Sequence, residues 1–251
     1  MSRPLHLSVN VDHIATLRQA RGTPYPDPLD GAVLAEAAGA QGITAHLRVD
    51  RRHVQDDDIR RLRGVVRGKL NLEISAAEEM LALAREVRPD QVTLVPERPE
   101  EVTTEGGLDV VSHRRTLAAA AEELRDAGIE VSFFLDPEPR QLHALAELGK
   151  DLVSGFEINT DAYTRAVEDT AAVELTKAQQ VAREGADLGF RVYAGHGLTS
   201  QNVLGIAAIP EVEELNIGHW LISRGALIGL GDAVREMLTA MENGRNSDDG
   251  A

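Results

Sequence analysis

The chain has 251 residues, of which 43% are hydrophobic and 3% aromatic, and its formal net charge is −15. The length matches the roughly 250 residues of a single α/β barrel, and the apolar share excludes a disordered chain. The acidic charge argues against nucleic acid or an anionic membrane as a partner, because both select a basic surface. Cysteine is absent, which excludes disulfides, thiolate catalysis and zinc–thiolate sites.

The N-terminus leads directly into a strand-like segment and has no signal-peptide pattern. No apolar run approaches the roughly 18 residues of a membrane span. We therefore expect a soluble, cytoplasmic protein.

Strand-like and helix-like patterns alternate along the whole chain. Strands are predicted over residues 5–12, 42–47, 69–74, 91–95, 129–135, 152–158, 191–194 and 212–217. Helices are predicted over residues 28–39, 56–66, 76–87, 114–127, 137–148, 163–188 (with room for an extra helix), 201–207 and 219–241. The polar segment 97–107 is too long for an ordinary connection between a strand and a helix.

Eight strand–helix units without a linker rich in Pro, Gly or Ser predict parallel strands. The leading architecture is an α/β fold of the TIM (β/α)8 type with extra helices, forming one catalytic domain over residues 1–242. The polar residues 243–251 are predicted to be a flexible C-terminal tail. An open doubly wound sheet is the alternative, and the absence of a G-x-G-x-x-G pattern after the first strand weakens it.

Polar residues alternate with aliphatic ones in several strands and come late in each strand. In a barrel the aliphatic set faces the helices, so the polar set points into the lumen near its carboxyl end, where active sites form. Any one of these residues could be a satisfied core group. Burying the whole set without a function would be costly, because it contains unpaired charge. The set includes Asn10, Asp12, His46, Glu73, Glu157 and Asn216.

The residue types favour proton transfer over covalent or metal chemistry. The chain has three lysines, and none ends a predicted strand, so a Schiff base on a lysine is disfavoured. We expect no metal, since Asp12 and His13 would point to opposite faces of a strand and no His-x-His pair occurs. Histidines and carboxylates in a lumen suit general acid–base catalysis near neutral pH.

Two regions are candidates for phosphate binding. Residues 195–199 and 216–219 are glycine-containing and precede the last two predicted helices, where backbone amides and helix N-termini attract anions. A second group follows the first two strands and could bind another phosphate: Arg18, Arg21, Arg48, Arg51, Arg52 and His53. Alternatively, these residues form a solvated surface and pair with Asp50 and the acidic residues 56–58.

Long sequence blocks then become distinctive. Residues 9–18 read VNVDHIATLR, residues 46–53 HLRVDRRH, residues 71–73 NLE, residues 102–109 VTTEGGLD, residues 194–199 AGHGLT and residues 214–219 ELNIGH. In this order, and over nearly the whole chain, they resemble the pyridoxine 5'-phosphate synthase family of vitamin B6 biosynthesis.

The resemblance implies a cytoplasmic homo-octamer whose extra helices serve assembly. It implies a transferase that condenses 3-amino-2-oxopropyl phosphate with 1-deoxy-D-xylulose 5-phosphate, giving pyridoxine 5'-phosphate, phosphate and water. The substrate amine would form the imine, acid–base groups would move the protons, and neither a metal nor an organic cofactor is implied.

Residue roles also follow from the resemblance. His46 and Glu73 would accept protons, His196 would donate one, and Glu157 would stabilise a transition state. The amino-ketone phosphate would contact Asn10, Arg21, Gly197, Gly218 and His219. The pentulose phosphate would contact Asp12, His13, Arg48, His53 and Thr103. Segment 97–107 resembles the family's mobile loop, which closes over the site.

One departure and two alternatives remain open at this stage. Residues 159–161 read Asn-Thr-Asp where the family pattern has His-Thr-Gly, which casts doubt on the hydrogen bonds around the site. Another phosphosugar TIM-barrel enzyme, an isomerase, epimerase or lysine-free aldolase, would need one anion pocket. A non-catalytic phosphometabolite binder would bind without turnover.

Overall fold

Eight parallel strands close into a barrel in sequence order, with β1 paired to both β2 and β8. The computed structural model describes residues 4–97 and 106–247. It confirms the predicted TIM (β/α)8 architecture. The strands are β1 (His6–Asn10), β2 (Gly42–His46), β3 (Lys69–Ile74), β4 (Gln91–Leu94), β5 (Glu130–Leu135), β6 (Gly155–Asn159), β7 (Arg191–Gly195) and β8 (Val212–Ile217).

The helices surround the barrel and outnumber the strands. They are α1 (Asp12–Gln19), α2 (Pro28–Ala37), α3 (Asp56–Val65), α4 (Glu78–Val87), α5 (Val110–Asp126), α6 (Pro139–Ala146), α7 (Asp161–Arg165), α8 (Glu168–Asp187), α9 (Val203–Ala207), α10 (His219–Ile228) and α11 (Leu230–Asn246). Among the helices of residues 4–97 and 106–247, none combines the length and hydropathy that crossing a membrane requires.

The barrel lumen is polar, as the alternation of residues predicts. Aliphatic strand residues such as Leu7 and Val9 are fully buried against the helices. Below the mouth, the Thr44 hydroxyl lies 2.7 Å from the Ser8 hydroxyl and donates to Asn216 Oδ1 at 2.9 Å. The polar side chains of this inner layer are therefore hydrogen-bonded to one another, and the layer supports the groups above it.

The first strand is shorter than predicted, and a helix that the sequence analysis missed follows it. β1 ends at Asn10, whose side-chain oxygen accepts the Asp12 N–H at 2.9 Å and turns the chain into α1. Asp12 and His13 thus lie in the first turn of a helix. The expectation that they point to opposite faces of a strand is wrong.

The last predicted helix is two helices. Gly229, with a φ of +90°, separates α10 from α11. The second helix continues to Asn246, past residue 243, where the predicted tail begins; residues 248–251 lie outside the described ranges. Arg245 explains the extension, because it is buried and donates to the carbonyl oxygens of Ile209, at 2.6 Å, and Val212.

Replacing this arginine tests whether the C-terminal helix stabilises the barrel. Arg245→Met keeps the apolar stem but leaves buried carbonyls without their donor, so we expect a loss of about 1–3 kcal/mol in unfolding free energy. Chemical or thermal denaturation measures it. Arg235→Met, at an exposed arginine of the same helix, is the control. Equal stability of the two variants would contradict the assigned contact.

Candidate active site

A cavity of about 740 Å³ opens at the carboxyl end of the barrel. Each of the eight strands, or the residues just after it, contributes to its wall. The polar wall residues are Asn10, Asp12, His13, His46, Glu73, Glu157, Asp161, Thr164, Arg165, His196, Thr199, Asn216, His219 and Ser223. This end of a TIM barrel is where catalytic sites form.

The structure brings most of the predicted site residues into this cavity. Its wall includes the four predicted catalytic residues and six of the predicted binding residues: Asn10, Asp12, His13, Gly197, Gly218 and His219. Arg21 is exposed and Arg48 is buried, and neither is part of the wall. The His53 ring lies 6.2 Å from the His46 ring. Thr103 lies outside the described residues.

Two carboxyl groups in the lumen have pKa values raised above their usual range. Burial, with a further contribution from the Glu214 carboxylate, raises the pKa of Glu157 to about 8, although Asn216 donates to it at 2.7 Å and Lys69 opposes the shift. Burial, then the carboxyls of Glu157 and Asp12, raise the pKa of Glu73 well above its usual range. Both groups can therefore donate a proton before they accept one.

His46 ends β2 and is surrounded by carboxyl groups. Its backbone N–H donates to Asp12 Oδ1 at 2.7 Å, which fixes the end of the strand. Its Nδ1 lies 3.9 Å from Glu73 Oε2, and its Nε2 lies 3.6 Å from Glu97 Oε1. Both ring nitrogens thus have a nearby partner for proton exchange.

His196 follows β7 in a strained backbone conformation, with a φ of +84°. The Thr160 hydroxyl donates to the carbonyl oxygens of Gly195 and His196, at 2.7 and 2.6 Å, and holds this turn. Burial lowers the pKa of His196, partly offset by Asp161. The imidazole is therefore neutral at rest, and donating a proton requires that it first take one up.

The departure at residues 159–161 changes the surroundings of His196. Asp161 begins α7, and its Oδ1 lies 3.6 Å from His196 Nε2. Asn159 Oδ1 accepts the Asp161 N–H at 3.0 Å, while the Asn159 amide donates to Asp136 at 2.8 Å. Asn159 and Asp161 thus make hydrogen bonds of their own at the end of β6.

Sequence reasoning missed part of the cavity wall. Arg165, the last residue of α7, pairs with Asp161 at 2.7 Å and brings a guanidinium to the cavity wall. Trp220 and Ser223 lie in the first turns of α10 and also line the cavity. The only available signal was their position just after a strand.

Most of the predicted arginine cluster is already paired. Arg18 binds Asp58 with both terminal nitrogens at 2.7 Å, and both side chains are buried. Arg51 and Arg52 pair with acidic neighbours in the loop after β2 and on α3 and α4. These three arginines therefore pair with acidic residues that the alternative named, Asp50, Asp56 and Asp58, although the Arg18 pair is buried and not a solvated surface. Arg48 also lies near an acidic residue, 3.8 Å from Asp50.

Three groups lie close enough to hold a cation. Ligand atoms of Asp12, His46 and Glu73 all fall within 4.8 Å of one another. However, Asp12 Oδ1 already accepts the His46 N–H and its Oδ2 accepts the Asn10 amide at 2.8 Å. Both oxygens of Asp12 are thus already engaged in hydrogen bonds within the protein.

Close packing around Glu157 gives a direct test of the site. A Cβ on Gly195 would contact Glu157 Oε1 and lie 2.7 Å from the Asn216 carbonyl oxygen. Gly195→Ala should displace the carboxyl or separate β7 from β8, with a stability loss of about 1–3 kcal/mol and a lower kcat. Gly64→Ala, where a Cβ meets nothing within 4 Å, is the control. Unchanged melting and turnover in Gly195→Ala would contradict this packing.

Sequence comparison identifies the relatives of this chain. The family model for the pyridoxal phosphate biosynthesis protein PdxJ matches residues 7–243. The pyridoxine 5'-phosphate synthase of Synechococcus sp. (strain JA-2-3B'a(2-13)) is 55% identical over 238 residues, covering 94% of this chain and 98% of that protein. The synthase of Gloeothece citriformis (strain PCC 7424) is 52% identical with the same coverage.

Solved structures show the same fold at low identity. KGPDC from Streptococcus mutans gives a TM-score of 0.64 at 16% identity, covering 96% of this chain and 98% of that one. Phosphoribosylanthranilate isomerase from Thermotoga maritima gives 0.58 at 12% identity, with coverages of 95% and 98%. Similarity at this level concerns the barrel alone. By its sequence, this chain belongs to the PdxJ family, which includes the pyridoxine 5'-phosphate synthases.

Proposed function

We propose that this chain condenses 3-amino-2-oxopropyl phosphate with 1-deoxy-D-xylulose 5-phosphate to pyridoxine 5'-phosphate, phosphate and water. The observation that carries the proposal is the convergence of four proton-transfer groups on one cavity: His46, Glu73, Glu157 and His196. Ring closure with repeated enolisation and dehydration needs several such groups in one chamber.

The imine in this reaction would come from the substrate amine. No lysine lines the cavity among the residues that the structure describes. Lys69 opens β3 at the opposite end of the barrel, where it pairs with Glu214 at 2.5 Å. The amine of one substrate would attack the carbonyl of the other, with loss of water.

The protonation of the carboxyls suggests an order of events. The raised pKa values of Glu73 and Glu157 favour their protonated forms, so these groups would first donate to the carbonyl or hydroxyl oxygens that leave as water. His46 would accept a proton released on enolisation, and Glu73 could accept one after its own donation. His196, neutral at rest, would pass a proton to a leaving group after taking one up.

The net charge of −15 would repel both phosphorylated substrates, and two local anion sites would overcome this repulsion. Gly197, Gly218 and the first turn of α10, which begins at His219, would hold the amino-ketone phosphate, assisted by Arg165. The pentulose phosphate would be held by Asp12 and His13 in the cavity, with His53 and Arg48 beside it. Arg21 and Thr103 remain predicted contacts.

An omission experiment tests this proposal. Purified protein is given each substrate alone and then both together, and pyridoxine 5'-phosphate is followed by absorbance alongside phosphate release. We expect product and phosphate when both substrates are present. Turnover of one substrate alone would instead support an isomerase or epimerase, and tight binding without turnover would support a binder.

We further propose a cytoplasmic homo-octamer, on the basis of the family resemblance. Sedimentation should then give a particle of about eight times the 27.1 kDa chain mass. A monomer or dimer at working concentration would contradict it.

A further inference from the structure

His46 has a carboxyl group beside each ring nitrogen, and the sequence analysis anticipated one of them. Glu73 faces Nδ1 at 3.9 Å, as the alternation of strand residues suggested. Glu97 faces Nε2 at 3.6 Å. From the sequence alone, Glu97 is the first residue of a polar loop that follows β4.

Glu97 is held in place by its own contacts. Its side chain is 10% exposed, and its Oε2 accepts the Val49 N–H at 3.0 Å. This bond ties the end of β4 to the loop that follows β2. The carboxylate is thus fixed with its second oxygen, Oε1, directed at the imidazole.

The two facing atoms lack any other hydrogen-bond partner. Neither His46 Nε2 nor Glu97 Oε1 is hydrogen-bonded within the described ranges 4–97 and 106–247, and both are buried. Such orphaned atoms are rare in folded proteins. Here they lie 3.6 Å apart, so a small movement would satisfy both at once.

The charge states of the two carboxyls differ. Burial raises the pKa of Glu97, but His46, the Val49 amide and Arg48 outweigh it and hold that pKa below its usual value. Burial raises the pKa of Glu73, by contrast, well above its usual range. Of the two carboxyls beside His46, Glu97 is therefore the one that favours the anionic form.

We propose that Glu97 is a positioning residue whose carboxylate accepts the Nε2–H of His46. This contact would fix the tautomer with the Nδ1 lone pair toward Glu73 and the substrate, and it would stabilise the imidazolium that forms when Nδ1 takes up a proton. A carboxylate behind an imidazole does this work in other acid–base sites. The inference rests on the proposed function, because it assumes that His46 is the base of the condensation.

Other charged groups near His46 have different contacts. Asp12 accepts its backbone N–H, the His53 ring lies 6.2 Å away, and Arg48, two residues later, lies 3.8 Å from Asp50. Within residues 4–97 and 106–247, the titratable and charged groups around the imidazole are Asp12, Arg48, His53, Glu73 and Glu97.

Glu97→Gln tests the proposal, because glutamine keeps the acceptor for the Val49 amide and removes the charge. We expect kcat to fall about 10- to 100-fold, part of the roughly 100- to 10,000-fold that a positioned base contributes. Without the anion the imidazolium is less stable, so the acidic limb of the kcat/KM profile should move about one pH unit lower. Glu97→Asp keeps the charge and should keep that limb close to the wild-type position.

A second readout does not depend on turnover. Diethyl pyrocarbonate modifies neutral imidazoles, and peptide mass spectrometry gives the rate at His46 as a function of pH. The midpoint of this rate should move about one pH unit lower in Glu97→Gln. Glu122→Gln, at an exposed glutamate of α5, should match the wild type in every assay.

The outcomes separate this inference from the proposed function. A wild-type protein that makes no product would defeat the function, whereas the modification midpoint would still decide the pairing. If Glu97→Gln leaves both the acidic limb of the kcat/KM profile and the pH midpoint of His46 modification unchanged, the pairing of Glu97 with His46 is overturned, even if kcat falls. A merely structural role of Glu97 would move neither quantity.

Discussion

Glu73→Gln should lower kcat by roughly 100- to 10,000-fold, the range for a positioned acid–base group, and leave the protein folded. Glu73 is the carboxyl nearest to His46 Nδ1, and its raised pKa means that the resting enzyme can donate a proton from it. Glutamine preserves the shape and hydrogen bonding of the side chain but can neither donate nor accept a transferable proton.

Steady-state kinetics with both substrates, together with a phosphate-binding measurement, separates chemistry from binding. Phosphate should still bind, because the substitution leaves every predicted phosphate contact in place and glutamine keeps the size of the side chain. Glu79→Gln, at an exposed glutamate of α4 that pairs with Arg51, is the matched control and should keep its turnover. A wild-type rate in Glu73→Gln would refute the assigned role.

The second large effect concerns stability as a function of pH. The pKa of Glu157 rises from 4.5 to about 8 on folding, so the folded state holds the proton more tightly than the unfolded chain. This contribution to stability is fully present below about pH 4.5 and is lost as pH rises through about 8. Since one pKa unit corresponds to about 1.36 kcal/mol, the loss is of the order of a few kcal/mol.

Glu157→Gln removes this proton and should therefore weaken the pH dependence. Thermal melting between pH 5 and pH 9, chosen to span the titration, is expected to show a smaller fall in melting temperature for the variant than for the wild type. At the alkaline end the variant should be the more stable protein, although its turnover is impaired. An equal fall in melting temperature in the wild type and in Glu157→Gln would show that the Glu157 carboxyl is not buried in its neutral form.

The sequence predicted the barrel and the strand-end groups because both depend on local patterns. Alternation along single strands was enough to place His46, Glu73 and Glu157 in the lumen, and the structure puts all three in the cavity wall. The same reasoning placed Asp12 correctly in the cavity wall but extended the strand too far, because the side chain of Asn10 ends the strand and starts a helix. The hydrogen bond from the Asp12 N–H to the Asn10 side chain thus ended the strand earlier than the alternation of residues indicated.

Contacts between distant segments could not be predicted in this way. The sequence left two roles open for Arg18, phosphate binding and pairing with the acidic residues 56–58, and only the fold shows that it pairs with Asp58, 40 residues away. Glu97 reads as one more polar loop residue until the fold brings it to His46. In both cases the partner is chosen by burial and charge pairing in three dimensions, which a single sequence does not display.

The central claim is that the native protein builds the pyridine ring from two substrates and takes the ring nitrogen from the substrate amine. The most direct measurement supplies 15N-labelled 3-amino-2-oxopropyl phosphate with unlabelled 1-deoxy-D-xylulose 5-phosphate and analyses the product by mass spectrometry. We expect pyridoxine 5'-phosphate that carries the label, formed together with an equal amount of inorganic phosphate. Unlabelled product, or none from a folded protein, would contradict it.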